Sequence, residues 1–177
     1  PAIRIEAPVP GKPLVGVEVP NTTAGLVALR SVIESTGFQR LTARSKLALA
    51  LGKGVEGATV VGDLAKMPHL LIAGATGSGK SVCINSIVSC LLLHTSPEEV
   101  RLIMIDPKRV ELVNFNNVPH LLAPVVVDIE KVVGTLRWVT REMDSRYRRF
   151  AALSVRNIEA YNRSPRVSEP MSYMVLI

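Results

Sequence analysis

Aromatic side chains are scarce in this 177-residue chain, at 4% of the total. Proteins that bind unpaired nucleic acid rely on aromatic rings to stack the bases. The scarcity therefore argues against a single-strand binder, and it favours contacts with a duplex backbone if nucleic acid is bound. A formal net charge of +6 permits such a polyanionic partner without requiring one.

Cysteines and long apolar runs are also few. The two cysteines, Cys83 and Cys90, form no Cys-x-x-Cys pair, which argues against a zinc or redox motif and is typical of reduced thiols in the cytoplasm. The longest apolar stretch, from Val82 to Leu93, is interrupted by polar residues and falls short of the roughly 18 residues that a membrane span needs. No membrane contact is predicted for this chain.

The sequence opens on Pro1, with neither a methionine nor the charged and apolar segments of a secretion signal. We therefore expect a piece of a longer protein. At 177 residues the chain is long enough for one compact α/β domain with at most a small appendage. Its composition, 47% apolar and 20% charged, is typical of a globular protein.

Extended structure is predicted for much of the region before residue 67. Residues 1–20 alternate apolar and polar positions around "PVPGKP", which predicts a β-hairpin. Thr22 or Thr23 can cap a short helix through Ser35, and "GF" then leads to extended runs at residues 46–52 and 58–64. We expect a small β-rich part here.

From Pro68 the pattern alternates between strand and helix. It predicts a buried strand at residues 69–73, a helix at 80–94 and a strand at 100–105, which together form a βαβ unit in a parallel sheet. The carboxylate of Asp128 is then expected to cap a helix of roughly 25 residues with one apolar stripe. Residues 173–177 predict a last apolar strand.

The loop between the first predicted strand and helix reads "GATGSGKS" and fits the phosphate-binding pattern G-x-x-x-x-G-K-[ST]. Small residues let consecutive N–H groups and the positive end of the helix face an anion. Lys80 is predicted to reach the β and γ phosphates of ATP, and the hydroxyl of Ser81 to ligate Mg²⁺. The predicted nucleotide-binding residues are Gly74, Ala75, Thr76, Gly77, Ser78, Gly79, Lys80 and Ser81.

ATP hydrolysis at such a loop also requires an acid at a strand end to hold Mg²⁺. Asp106 follows the strand "RLIMI", but Pro107 and Lys108 come next instead of a second acid. The last strand ends at Ile177, where an acidic pair could follow. Asp106 and an acid beyond Ile177 therefore both stay open as the metal ligand.

Several further segments carry a family resemblance. Together with the loop, "VRLIMIDPKRVEL", "VPHLLAPVV", "LRWVTREMDSRYRRFA" and "VRNIEAYN" resemble the motor region of the FtsK/SpoIIIE DNA translocases, and "APVPGKPLVGVEVPN" extends the similarity upstream. The resemblance spans nearly the whole chain in the expected order.

The resemblance implies a RecA-like P-loop ATPase core at residues 67–177, incomplete at its C-terminus, preceded at 1–66 by the β-rich end of another subdomain. It implies a hexameric ring that hydrolyses ATP and pumps double-stranded DNA in bacterial division or sporulation. It places an acidic pair just beyond Ile177, so this piece alone is expected to be a doubtful motor. The parent protein is expected in the cytoplasm, anchored in the inner membrane by a segment that lies outside this chain.

Some charged residues are weaker candidates. One of Arg146, Arg148 and Arg149 on the long helix could reach the γ-phosphate of a neighbouring subunit, although a solvated helix face explains each of them too. Lys108, Arg109 and Glu111 follow a strand on the side where nucleotides gather in open α/β sheets, so they could couple ATP to ring contacts. Local ion pairing explains them equally well.

Two other functions fit the same nucleotide loop. A related ring ATPase could move conjugative DNA or protein through a secretion apparatus, since its nucleotide core would look alike. A non-hydrolysing ATP-binding module could instead use the nucleotide only to hold an assembly together.

Overall fold

The computed structural model describes residues 3–23 and 25–177, and the fold is mixed α/β as predicted. Short turns of 3-10 helix lie at Leu64–Lys66 and Val113–Phe115. In chain order the elements are β1 (Arg4–Glu6), β2 (Gly16–Glu18), α1 (Leu29–Ile33), α2 (Thr36–Thr42), β3 (Ala48–Lys53), β4 (Thr59–Asp63), α3 (Lys80–His94), β5 (Val100–Ile103), α4 (Ile129–Ala152), α5 (Ile158–Asn162) and β6 (Tyr173–Leu176).

The predicted hairpin at the start of the chain is present, since β1 and β2 pair antiparallel. The first two residues of the predicted segment lie outside the described residues. The helix predicted to start at Thr22 or Thr23 is wrong in position, because α1 starts only after Ala28. The side chains that pack against the smaller core begin only at Leu29. Capping by a threonine does not stabilise a helix without such packing.

A second short helix, α2, replaces the predicted connection at "GF". Ser35 caps it, because its hydroxyl oxygen accepts the Phe38 N–H at 3.3 Å. Phe38 is 2% exposed and packs with Val32 under β3. The helix thus depends on burial against a strand further along the chain, a contact invisible in local sequence.

Strand β3 lies between two apolar clusters. Leu49 faces the cluster that contains α3 and β5, while Ala48 and Ala50 face the cluster of α1 and α2. Strand β4 pairs with β3 antiparallel, with a bulge near Gly52. Residues on both sides of the predicted boundary at residue 66 therefore share a core, and the division into two parts stays a prediction.

The predicted parallel sheet is present around β5. Strand β6 pairs with β5 in parallel, and Leu121 and Val126 form parallel bridges to Leu102 and Ile105. Leu102 is 0% exposed and Ile103, on the opposite face, is 5% exposed, as expected for a strand covered on both faces. This buried strand leads directly into the loop that carries Asp106.

The strand predicted at His69–Ala73 is wrong. Residues 69–73 are not assigned to a strand, no described residue forms a ladder with them, and Leu71 is 91% exposed. A strand is stable only when a neighbour satisfies its N–H and C=O groups, so apolar character alone does not make one. Only Ile72 packs against the main core. The βαβ unit consequently lacks its first strand here.

Helix α4 has 24 residues, close to the predicted length, and it begins after Asp128 as predicted. The predicted capping bond is wrong, since the Asp128 carboxylate accepts no backbone N–H of the helix. It pairs instead with Arg109 and Lys131, because two cations within reach compete better for the carboxylate than one amide. None of the described helices is both long and apolar enough to cross a membrane.

Candidate functional site

The glycine-rich loop, residues 74–81, leads into α3 with the geometry of an anion-binding site, which we call the cradle. Gly79 is the residue before the helix and has φ 92° and ψ 12°, a left-handed conformation that glycine adopts without steric cost. Within the described residues, the N–H groups of residues 79–82 donate to no protein acceptor. Four free N–H groups at the positive end of a 15-residue helix form a site that favours an anion.

Gly74 is needed for a different reason. A Cβ at Gly74 would lie 2.1 Å from Oγ of Ser78, far inside van der Waals contact. The Ser78 N–H donates to the carbonyl of Ala75 at 3.0 Å and closes the tight turn. The first glycine of the motif therefore allows the loop to fold back on itself, whereas Gly79 allows it to enter the helix.

Lys80 and Ser81 lie together at the start of α3 and share one partner, Glu111. Nζ of Lys80 is 3.1 Å from Oε2 of Glu111 and 3.3 Å from Oε1. The Ser81 hydroxyl donates to Oε1 at 2.6 Å. The side chain of Lys80 is 37% exposed and that of Glu111 28% exposed. A carboxylate thus sits on both groups that were predicted to hold the phosphates and Mg²⁺.

These contacts favour the charged form of Glu111. The Ser81 hydroxyl and then the Lys80 ammonium lower the pKa of Glu111 below its usual range. Since Glu111 is ionised at neutral pH, its carboxylate places a negative charge beside Lys80 and Ser81 at the mouth of the cradle.

Asp106 holds the loop that presents Glu111. Its Oδ2 accepts the N–H groups of Glu111 and Leu112, both at 2.9 Å, and the residue is only 6% exposed. Burial, the largest influence, raises the pKa of Asp106, but the N–H groups of residues 109–112 together outweigh it and the pKa is lowered. The geometry gives Asp106 a structural task, and its role as a Mg²⁺ ligand stays a prediction.

The same loop reaches α4 through Arg109. This residue has φ 59°, and its Nη2 is 2.7 Å from Oδ1 of Asp128, just before the first residue of α4. Lys131 and then Arg109 lower the pKa of Asp128. Lys108, a further predicted coupling residue, is exposed.

Three arginines of α4 were predicted as candidates to reach the γ-phosphate of a neighbouring subunit, and they differ in their surroundings. Nε of Arg146 donates to Glu142 at 2.8 Å and Nη1 to the carbonyl of Ser172 at 2.7 Å, so Arg146 ties α4 to the segment before β6. Arg148 and Arg149 are exposed. Their role toward a neighbouring subunit stays a prediction.

The residues at the loop suit the two predicted ligands. The free N–H groups and Lys80 match the charge of a phosphate chain, and the Ser81 hydroxyl is the kind of oxygen donor that Mg²⁺ prefers. Sequence reasoning placed Glu111 near this site but did not find that it contacts Lys80 and Ser81. The available signal was its position in the loop after the strand that ends at Asp106.

A family model described as FtsK/SpoIIIE family matches residues 28–175. The chain is 53% identical to a DNA translocase FtsK from Caldanaerobacter subterraneus subsp. tengcongensis over 100% of its own length and 24% of that protein. It is 52% identical to DNA translocase SpoIIIE from Bacillus subtilis over 90% of its length and 20% of that protein. The chain thus spans less than a quarter of these relatives.

Solved structures share the fold at lower identity. A conjugation coupling protein, TcpA, in its monomer form with ATPγS, superposes with a TM-score of 0.65 at 22% identity, over 98% of this chain and 46% of that one. The cytoplasmic domain of a type VII secretion ATPase, EccC of Thermomonospora curvata, gives 0.62 at 20% identity, over 74% of this chain and 17% of that one. At these identities the likeness shows the fold alone.

Proposed function

The chain belongs to the FtsK/SpoIIIE family, and from this premise we propose that it is part of the ATP-driven motor of a double-stranded DNA translocase. The observation that carries the proposal is the cradle at the start of α3, in a chain about half identical to named DNA translocases. These relatives are named DNA translocases, so DNA is the expected partner.

Mg-ATP is the proposed ligand of residues 74–81. The free N–H groups of the loop would hold the phosphate chain, and Lys80 would place its charge beside the β and γ phosphates. Ser81 would ligate Mg²⁺, which supplies charge neutralisation for phosphoryl transfer when bound. The TcpA structure, which holds ATPγS in a similar fold, supports this assignment.

The working motor is proposed to be a hexameric ring in the cytoplasm, belonging to a protein anchored in the bacterial inner membrane. Residues 67–177 would form a RecA-like core and residues 1–66 the end of another subdomain. Acidic residues beyond Ile177 would complete the Mg²⁺ site. Contacts to DNA would be mainly to phosphates, so binding would weaken steeply with salt.

The decisive experiment measures ATP turnover by the full-length parent protein, with and without duplex DNA. Duplex should stimulate turnover, and Lys80→Ala should abolish it by removing the charge that faces the terminal phosphates. Lys66→Ala is the matched control, since Lys66 is 82% exposed and lies before the loop. Nucleotide binding without turnover would contradict the motor and support an ATP-binding assembly module.

A ring ATPase of a conjugation or secretion apparatus is a second candidate, favoured by the TcpA and EccC folds. Its identity to this chain is about 20%, against about 50% for the DNA translocases. Turnover that duplex DNA leaves unchanged in the parent protein would favour secretion of protein over a DNA pump.

A further inference from the structure

We propose that Glu111 acts as a latch: it competes with the phosphate chain of ATP for Lys80 and Ser81, so the phosphates must displace it. The inference rests on the proposed ATP site and assigns a regulatory residue to it. Its basis is one geometric fact: the carboxylate of Glu111 contacts the two side chains that would otherwise bind the terminal phosphate and its cation, Lys80 and Ser81.

The latch satisfies two polar groups, Lys80 and Ser81, that would be costly to leave without a partner. Lys80 and Ser81 extend from the first turn of α3, where the helix dipole already favours negative charge. Glu111 supplies that charge and accepts hydrogen bonds from both. A triphosphate brings charge of the same sign to the same donors, so the carboxylate and the phosphates compete.

The structure also shows what is free to move. The Glu111 N–H is fixed on Asp106, and the next residue, Leu112, is 6% exposed in the core. The Glu111 side chain itself is 28% exposed. Its carboxylate can therefore rotate toward solvent while its backbone stays in place, which makes release cheap enough for a ligand to drive.

Glu111→Gln tests the latch, because the amide keeps the size of the side chain and removes its charge. Calorimetry on the full-length parent protein measures the affinity for ATPγS in EDTA and in Mg²⁺. In EDTA the variant should bind about tenfold more tightly, since a competing anion is gone. In Mg²⁺ the gain should shrink to about threefold, because the cation offsets the repulsion between carboxylate and phosphate.

The matched control is Glu56→Gln, which removes the same charge from the exposed turn between β3 and β4 and should leave the affinity unchanged. AMP provides a ligand control, since it lacks the terminal phosphates and its affinity should not depend on residue 111. Glu111→Ala, which removes the acceptor oxygens as well, should bind ATPγS at least as tightly as the Gln variant.

The outcomes separate the latch from the ATP site itself. Wild-type binding with equal or weaker binding by Glu111→Gln overturns the latch while the ATP site stands. Weaker binding by the variant in Mg²⁺ alone overturns it too and makes Glu111 a ligand of the cation. If neither form binds ATPγS, both the proposed function and the latch are wrong. Tighter binding by the variant, even where the wild type binds nothing measurable, supports the latch.

Discussion

Helices α3 and α4 are held in the molecule in opposite ways. Four residues of α3 are buried, and Val88, Cys90 and Leu91 are 0% exposed. None of the described residues of the longer α4 is fully buried, and Trp138 is 46% exposed. Polar contacts anchor α4 instead, at Asp128 before its first turn and at Arg146 toward its end.

The difference matches what each helix does at the site. Helix α3 must present the cradle in a fixed place, and burial on the sheet provides that because packed cores resist displacement. Helix α4 connects to the loop of Glu111 through the ion pair between Arg109 and Asp128, and an exposed ion pair can break and re-form at little cost.

The largest effect should come from opening a cavity beneath α3. Leu91→Ala should lower the free energy of unfolding by about 2–5 kcal/mol, because Leu91 is fully buried in the main core. Leu136→Ala, at a position on α4 that is 43% exposed, is the control and should change it by about 1 kcal/mol or less. Urea unfolding measures both, and equal losses would contradict the contrast between the helices.

The next largest effect should come from removing the Asp106 carboxylate, which holds the loop that presents Glu111. Asp106→Ala should lower the free energy of unfolding by about 1–3 kcal/mol, because the N–H groups of Glu111 and Leu112 lose their acceptor. Hydrogen exchange should show both amides exchanging faster than in the wild type. Unchanged protection of these amides would mean that Asp106 does not hold the loop.

Acid should weaken the contacts that the carboxylates in and beside this loop make. The pKa values of Asp106, Glu111 and Asp128 are lowered in the folded chain. Their stabilisation is therefore complete above the unfolded values of about 4 and disappears as pH falls through the lower folded values. The urea concentration at the midpoint of unfolding should fall as the pH is lowered below about 4. The fall should be shallower in Asp106→Ala, which has already lost one of these groups.

A smaller effect is expected where α4 is tied to β6. Arg146→Ala should lower the free energy of unfolding by about 1–2 kcal/mol, since Arg146 is 17% exposed and bonds both Glu142 and the Ser172 carbonyl. The exposed Arg148, changed to Ala, should alter it by less than about 0.5 kcal/mol. Equal effects would remove the structural role given to Arg146.

The smallest effect belongs to the ion pair at the start of α4. Asp128→Ala should lower the free energy of unfolding by less than Arg146→Ala does, because the carboxylate is 41% exposed and Arg109 is 63% exposed. Salt should weaken the wild type toward the variant by screening the pair. A large loss that salt does not reduce would mean that Asp128 acts by some contact other than the ion pair.

Local pattern was reliable where one stretch of sequence sufficed. The glycine loop, the start of α3, the length of α4 and the final strand follow from spacing and side-chain shape. Pattern failed at residues 69–73 and at α2, where the outcome depends on partners elsewhere in the chain. An apolar run becomes a strand only beside another strand.

By itself, the sequence determined which groups the loop offers, because glycines, a lysine and a serine in fixed order predict a phosphate-binding loop. Only the tertiary structure decided which distant side chain contacts Lys80 and Ser81. The topology places the end of β5 beside the first turn of α3, and the Asp106 carboxylate then orients Glu111 onto Lys80 and Ser81. Contacts between residues far apart in sequence arise from the packing of strand and helix, which no local pattern encodes.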